Sequence, residues 1–549
     1  PFLFYSGSLL VWSAVGVAAL TFTVARLGRS EFAGVFCGGL YTMMLAVPVS
    51  RAIGIHVIAL RENFAVPLLQ IAVAALTILV RTPGSRSAWA VCLVSSALFM
   101  VFWQFGPFVM LSQLVATYGV YLLGYDVCSF LRLVLVVHVL VGGINTAALF
   151  FNPFVLHSVW FQGVLAVLVA HLAFWRSTRT TTQRWMEAGV ALGVFGVVRA
   201  VMNLFNPDLD KHVYDMLADK LFRKAAPGTF DAAVYFNMNE FRSLLEPAVW
   251  QQEVEGVEPV YRALKVAYGL CLVAVVASLV GFVRELYTKS HRDAAFPWHV
   301  AHLAVLTGMM TLVWRLRVLA LPFACVLAAL PLAPGLWEHV GFPNLLTRFL
   351  RVVLPLGSLG AAGYCATLYA STIGEIYASG LDPDTELDER VAQFKMLEFM
   401  NENLPLVGKS GRRTVVAGDA VTLSIVRMST PFPVTAHPHY EHPFARQRFR
   451  EAKEMLYGCA PPQEVYDYLI SLNVTHVLLD VLRLAPHQAI DLSKFYEPSR
   501  RCEASMGQGI MGTRRPFFHM VFGGGQTDPP LFRPEHVVGP LVLVKVMRP

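Results

Sequence analysis

Charge is the scarcest property of this sequence. Only 15% of its 549 residues are Asp, Glu, Lys or Arg, against 55% hydrophobic ones, and the mean hydropathy is +0.53. Soluble domains carry about 25% charged residues, so this balance excludes an ordinary cytosolic globular enzyme. The shortage is uneven. Residues 1–205 contain no lysine and only four acidic residues, Glu31, Glu62, Asp126 and Glu187, beside eleven arginines; the other 33 of the 37 acidic residues come later. That split predicts a membrane block followed by water-facing material. The net charge of +7 does not argue for nucleic acid, because the arginines are dispersed between apolar runs rather than gathered into a stripe.

Other absences narrow the chemistry. There is no Walker-type loop, and Gly523-Gly524-Gly525, with no predicted helix after it, reads as a turn. There is no repeat of fixed period and no cleaved signal peptide. The eight cysteines make no metal-ligand pattern. Cys37, Cys92, Cys128, Cys271, Cys325 and Cys365 lie in or beside apolar runs and fit as small apolar filler. Cys459 and Cys502 both lie in the tail, where an oxidising compartment would allow them to pair.

What the chain does have is a series of long apolar runs. A membrane helix needs about 20 apolar residues, and twelve spans are predicted, at 7–25, 33–50, 64–80, 88–105, 107–123, 131–150, 156–174, 187–205, 263–283, 297–314, 317–334 and 352–372. The connections after spans one, three, five, seven and nine hold Arg26 and Arg29; Arg81 and Arg86; Arg132; Arg176, Arg179 and Arg184; and Arg284, Lys289 and Arg292. Basic short loops face the cytosol. Residue 1, the loop 206–262 and the tail from 373 then fall on the luminal side. Because Pro1 stands directly before an apolar run, the start of the protein is expected further upstream. The expected fold class is an α-helical polytopic membrane protein with a small luminal α/β C-terminal domain: a multi-span domain over 1–376 and the α/β domain over 377–549. Within the tail, Leu387, Val391, Phe394, Leu397 and Met400 give 384–404 a helical spacing. Short strands are predicted at 414–417 and 421–427, helices at 444–457 and 463–471, and a buried strand at 475–479. The repeated helix–strand order predicts parallel strands.

Several residues carry candidate chemistry. Arg51 and Arg61 break the charge rule in the luminal loop 51–63. Arg61 opens the third span, where a guanidinium fork and the N–H groups of a helix start suit a phosphate, with Glu62 placed to position it; lipid headgroups are the alternative partner. Gln70, Gln104 and Gln113 lie in apolar runs, where an unpaired amide is costly, and either join helices or meet a ligand. Asp208-Leu209-Asp210 has the DxD spacing of divalent-cation sites, and Asp382-Pro383-Asp384 the look of a helix cap; both also fit a solvated loop. His437-Pro438-His439-Tyr440-Glu441 could bind metal, shuttle protons, hold a polar ligand or form a structural turn. Asn473-Val474-Thr475 is an N-glycosylation sequon, but the predicted buried strand beside it counts against occupancy.

Read together, LRENFAVPLLQ (60–70), FWQFGPFVMLSQ (102–113), DKHVYDML (210–217), TFDAAVYF (229–236), VWRLRVLALPFAC (313–325), AGDAVTLSIVRMSTPFPVTAHPHYE (417–441) and EVYDYLISLNVTHVLLD (464–480) make the chain resemble the dumpy-type tryptophan C-mannosyltransferases, over about residues 50–480. The resemblance implies a GT-C membrane glycosyltransferase of the endoplasmic reticulum. It would move mannose from dolichyl-phosphate-mannose to C2 of a tryptophan indole in W-x-x-W or W-x-x-C segments of secretory polypeptides, with no cofactor and no metal. It implies that Arg61 neutralises the donor phosphate, supported by Glu62 and Gln70. Asp210 and His212 would line the luminal cavity, and His437, His439, Tyr440 and Glu441 would shape the acceptor or donor pocket. The family's catalytic carboxylate is expected upstream of Pro1 and so absent from these residues. Two other readings compete with it: a different lipid-phosphate-sugar GT-C enzyme, such as an oligosaccharyltransferase subunit, whose WWDYG-type string does not occur here, and a transporter or scramblase, which tends to show two related halves.

Overall fold

The computed structural model describes residues 2–46, 62–103, 105–151, 153–174, 180–205, 258–288, 293–312, 316–342, 383–408, 411–418, 420–436, 460–480, 531–539 and 541–547, with scattered residues between 349 and 367 and between 444 and 456. The chain divides into two compact units, Pro1–Lys211 with Arg242–Glu375, and His212–Phe241 with Ile376–Pro549.

The first unit is helical. Its elements are α1 (Phe2–Gly28), α2 (Glu31–Ala46), α3 (Glu62–Arg81), α4 (Arg86–Phe102), α5 (Gly106–Leu122), α6 (Cys128–Ala148), α7 (Pro153–His157), α8 (Val159–Ala173), α9 (Thr181–Phe205), α10 (Glu258–Thr288), α11 (Ala295–Leu312), α12 (Arg317–Ala329) and α13 (Pro334–Val340). The apolar runs fix where they lie and short polar caps fix where they start: Ser85 accepts from the Ala88 amide at the head of α4, and Ser158 from the Phe161 amide at the head of α8. Among the described residues, Val11–Gly28, Glu62–Arg81, Cys128–Ala148 and Thr181–Leu204 are long and apolar enough to cross a membrane, as expected of a multi-pass protein. α3 is central: sixteen of its 20 residues are buried, between α1 and α4. α1 and α2 approach so closely that a Cβ on Gly34 would stand 2.6 Å from the Thr21 carbonyl oxygen, the small-residue contact that suits packing without a hydrophobic driving force.

The first eleven predicted runs all fall on helices, with two corrections. The run 156–174 is two helices, because the extended backbone of Ser158 (ψ 144°) ends α7 and caps α8. The run 317–334 bends by 76° between Val318–Leu332 and Pro334–Val340, where Pro331 and Pro334 supply no amide donors to continue α12. The run 352–372 falls mostly outside the described residues.

The second unit holds α14 (Pro383–Asn403), β1 (Val416–Gly418), α15 (Ala420–Ser429), α16 (Pro462–Ser471), β2 (His476–Asp480), β3 (Phe532–Val538) and β4 (Leu541–Val546). The strands form one sheet in the order β1-β2-β4-β3. β1 and β2 are parallel, but β4 is antiparallel to both β2 and β3, so the sheet is mixed rather than parallel throughout. Alternation along β2 and β4 serves two cores. Leu478, Leu541 and Leu543 pack with Met396 and Met400 of α14 and Leu423 and Val426 of α15. Val477, Leu479, Val542 and Val544 pack with Val465 and Leu469 of α16. The strand predicted at 421–427 is helix α15 instead. Its β-branched residues favour a strand, yet Leu423 and Val426, three residues apart, both reach the core, and only a helix delivers that spacing to one face.

Candidate functional site at the start of α3

Of the candidate site residues singled out in sequence, Glu62, Gln70 and Gln113 are described, and Gln104 is not. Arg51, Arg61, Asp208, Asp210, His212, His437, His439, Tyr440 and Glu441 lie outside the described residues.

Glu62 and Asn63 form the first turn of α3, and both are buried. A carboxylate at a helix start meets the positive end of the helix dipole. An aromatic group borders the same end. Phe64 stacks on Phe102 at 6.2 Å, and Phe99, Trp103, Phe105 and Phe108 follow in successive ring contacts of 5.8 to 6.1 Å through the α4–α5 turn. Two turns further in, Gln70 is 1% exposed, and neither atom of its amide has a hydrogen-bond partner among the described residues. Gly16 of α1 makes room for it: a Cβ there would stand 2.1 Å from Gln70 Oε1 and 3.3 Å from Pro67 Cβ. The Tyr41 hydroxyl of α2 lies beside the same amide without closing a hydrogen bond. Gly16 and Tyr41 left no trace in sequence, because they are remote from Gln70 along the chain. Gln113 of α5 is likewise buried, with its Nε2 unpartnered among the described residues.

The opposite ends of these helices carry a polar network that sequence did not reveal. Glu187 of α9 accepts from the Tyr121 hydroxyl of α5 at 2.8 Å and pairs with Nδ1 of His171, on α8, at 2.9 Å. Arg132 Nε, on α6, donates to His171 Nε2 at 3.3 Å. Nε2 is therefore an acceptor, and His171 is the neutral tautomer that donates from Nδ1 to Glu187. Arg184 bridges onward, donating to the carbonyls of Tyr121 and Tyr125 at 2.6 and 2.8 Å. Tyr125 in turn donates to Glu285 of α10 at 2.9 Å, and Glu285 faces Nδ1 of His339 at 3.3 Å. Arg81, closing α3, pairs with Asp293 at 2.6 Å and donates to the Arg26 and Leu27 carbonyls that end α1. Glu187 and Glu285, both buried, are each partnered, as burial of charge requires. Histidines deeper in the unit are tied to single hydroxyls or indoles: His299 to Thr77, His302 to Ser112 and His138 to Trp160. Among the described residues no three of His, Cys, Asp and Glu are grouped to hold a metal ion.

The fold has known counterparts. The oligosaccharyltransferase of Archaeoglobus fulgidus aligns at TM-score 0.52 and 14% identity when tethered to an acceptor peptide, covering 90% of this chain and 59% of that one, and at TM-score 0.53 and 12% identity in its apo form. At such identity the likeness shows a shared fold alone. In sequence, a human protein named probable C-mannosyltransferase DPY19L2 is 22% identical over 482 residues, which are 84% of this chain and 60% of that protein. The human protein C-mannosyl-transferase DPY19L1 is 23% identical over 480 residues, 84% of this chain and 67% of that protein. The C-mannosyltransferase dpy-19 of Caenorhabditis elegans is 22% identical over 439 residues, 77% and 59%. The chain thus spans about 60% of the length of such relatives. The family model described as Dpy19, Q-cell neuroblast polarisation, matches residues 1–483, and the chain belongs to that family.

Proposed function

We propose that this protein is a C-mannosyltransferase of the endoplasmic reticulum membrane. The observation that carries the reading is the family match over residues 1–483, among whose relatives are proteins named C-mannosyltransferases. The donor is dolichyl-phosphate-mannose, and the acceptor is the indole of a tryptophan in W-x-x-W or W-x-x-C segments of unfolded secretory polypeptides. The membrane is crossed twelve times within this chain, and both 206–262 and 377–549 face the lumen.

Indole C2 bonds to C1 of the mannose as the C1–O bond to phosphate breaks. Dolichyl phosphate departs with the bonding pair, and a carboxylate receives the C2 proton. A phosphate leaving group needs positive charge where negative charge develops, which is the role of Arg61. Glu62, buried beside it in sequence at the head of α3, positions that guanidinium. Gln70 supports the donor, since an amide with no partner in an apolar interior is stabilised by a polar ligand. Asp210 and His212 line the luminal cavity, and His437, His439, Tyr440 and Glu441 shape the pocket that holds the indole against the sugar. An indole carbon is a weak nucleophile, so positioning supplies much of the rate. No metal is required, because a lipid phosphate is already a good leaving group.

The test is direct. The purified full-length protein is incubated with dolichyl-phosphate-mannose and a W-x-x-W peptide, and the peptide is examined by mass spectrometry for a hexose that survives both amide and glycosidic cleavage. Such a hexose on tryptophan is the expected product; its absence with the donor intact overturns the reading.

A further inference from the structure

We propose that Asn473 is an N-glycan acceptor, modified before the second unit folds. Asn473-Val474-Thr475 is the single N-x-S/T triplet in the sequence, and the structure sends its three side chains to three different places. α16 ends at Ser471, and the chain turns through Asn473 in the left-handed region (φ 57°) with its side chain exposed. Val474 is fully buried in the core beneath α16. Thr475 is a latch between strands: its hydroxyl accepts from the Val415 amide at 2.9 Å and donates to the Val415 carbonyl at 3.0 Å, beside the parallel pairing of β1 with β2. The neighbouring strand starts at His476 and leaves Asn473 exposed.

The order of events follows from the latch. A transferase that reads the triplet needs the threonine hydroxyl, and in the folded unit that hydroxyl is engaged by the Val415 amide, the Val415 carbonyl and, 2.9 Å away, Nδ1 of His476. Transfer must therefore precede the pairing of β1 and β2, 60 residues apart at the latch, while the chain is still emerging. In the transfer, Asn473 Nδ2 bonds to C1 of the first sugar of a lipid-pyrophosphate-linked oligosaccharide. The C1–O bond breaks, the pyrophosphate leaves with the electron pair, and one amide proton passes to a base of the transferring enzyme. The glycan then sits on an exposed turn whose backbone asparagine tolerates well, and neither Val474 nor Thr475 is disturbed.

This proposal rests on the luminal placement of residues 377–549, so the experiment reads that placement separately. The full chain is expressed in a eukaryotic cell, and sealed microsomes are treated with protease from outside. The membranes are then dissolved and treated with a peptide-N-glycosidase. The expected result is a protease-protected tail and a mobility shift on deglycosylation, with Asn473 converted to Asp in the tryptic peptide. Asn473→Gly, which keeps a residue suited to positive φ, should lose the shift completely while the protein remains folded. A protected tail without a shift overturns the glycan and leaves the luminal placement standing. A tail digested from outside overturns the placement and the glycan with it.

Discussion

Gln70 and Arg61 illustrate two different kinds of proposed site residue. Arg61 stands out in sequence because it breaks a rule, being a basic residue in a loop whose neighbours predict it on the luminal side. Arg61→Ala should abolish turnover in the peptide assay and leave thermal unfolding in detergent unchanged, since the role proposed for it is charge for the leaving phosphate. Persistent turnover would move that role to Arg51. Gln70 was visible as an amide in an apolar run, but its setting was not. The bare Cα of Gly16 and the phenol of Tyr41 meet it across helices, and no local pattern encodes a contact of that separation. A second residue-scale consequence concerns His476 on β2. Burial holds its imidazole below the ordinary 6.5, Lys545 adds to that direction, and Glu535, 2.9 Å from Nε2, opposes it. The folded state thus prefers the neutral ring. Its contribution to stability is complete above 6.5 and is lost as pH falls below that value. Thermal unfolding of the full-length protein compared at pH ~7.5 and ~5.5 should show a drop in midpoint that His476→Gln reduces. An equal drop in both proteins would remove His476 as the cause.

Elements were legible where one period dominates. The helices of the first unit follow uninterrupted apolar runs, and 384–404 and 463–471 follow helical spacing closely enough that α14 and α16 lie within a residue of expectation at each end. β3 was hidden because Pro534 argues against a strand. The structure accommodates it at the irregularity between Pro534 and His536, which also carries Glu535 toward His476. β4, whose apolar residues serve both cores, lacks the alternation that marks a half-buried strand. The junction of α5, α6, α8 and α9 carries a prediction at this scale. Glu187 is the shared acceptor of Tyr121 and His171. Glu187→Ala leaves the Tyr121 hydroxyl and the His171 imidazole without their acceptor, a loss of about 1–3 kcal/mol for each buried donor left unpaired. It should appear as a large fall in the unfolding midpoint. Glu187→Gln keeps an acceptor oxygen and should cost clearly less; equal effects would mean that the carboxylate charge, rather than its hydrogen bonds, holds the junction.

At the scale of the whole molecule, the arginines that orient the chain are structural members as well. Arg29, Arg81, Arg132 and Arg184 come from the connections predicted to be cytosolic, and each is bonded into one end of the helical unit: to Glu338, to Asp293, to His171 and to the carbonyls that end α5. Composition predicts their sidedness through the positive-inside bias, while their partners needed the fold. The other end is apolar where α6 turns into α7: Phe150 and Phe151 have positive φ and are 93% and 77% exposed, as aromatic residues at a membrane interface are. This polarity predicts opposite sidedness for two exposed positions, Ser87 at the head of α4 and Phe150 beyond the end of α6. In sealed, right-side-out microsomes, a membrane-impermeant maleimide should label Ser87→Cys at once and Phe150→Cys only after the membrane is opened. Cys37, Cys92, Cys271 and Cys325 are buried, and the unsubstituted protein sets the background for the remaining cysteines. Labelling of both positions from outside would place the two ends of α4 through α6 on one side and remove the multi-span arrangement. A reversed pattern would keep the spans and turn the protein over, putting Arg61 and its phosphate in the cytosol.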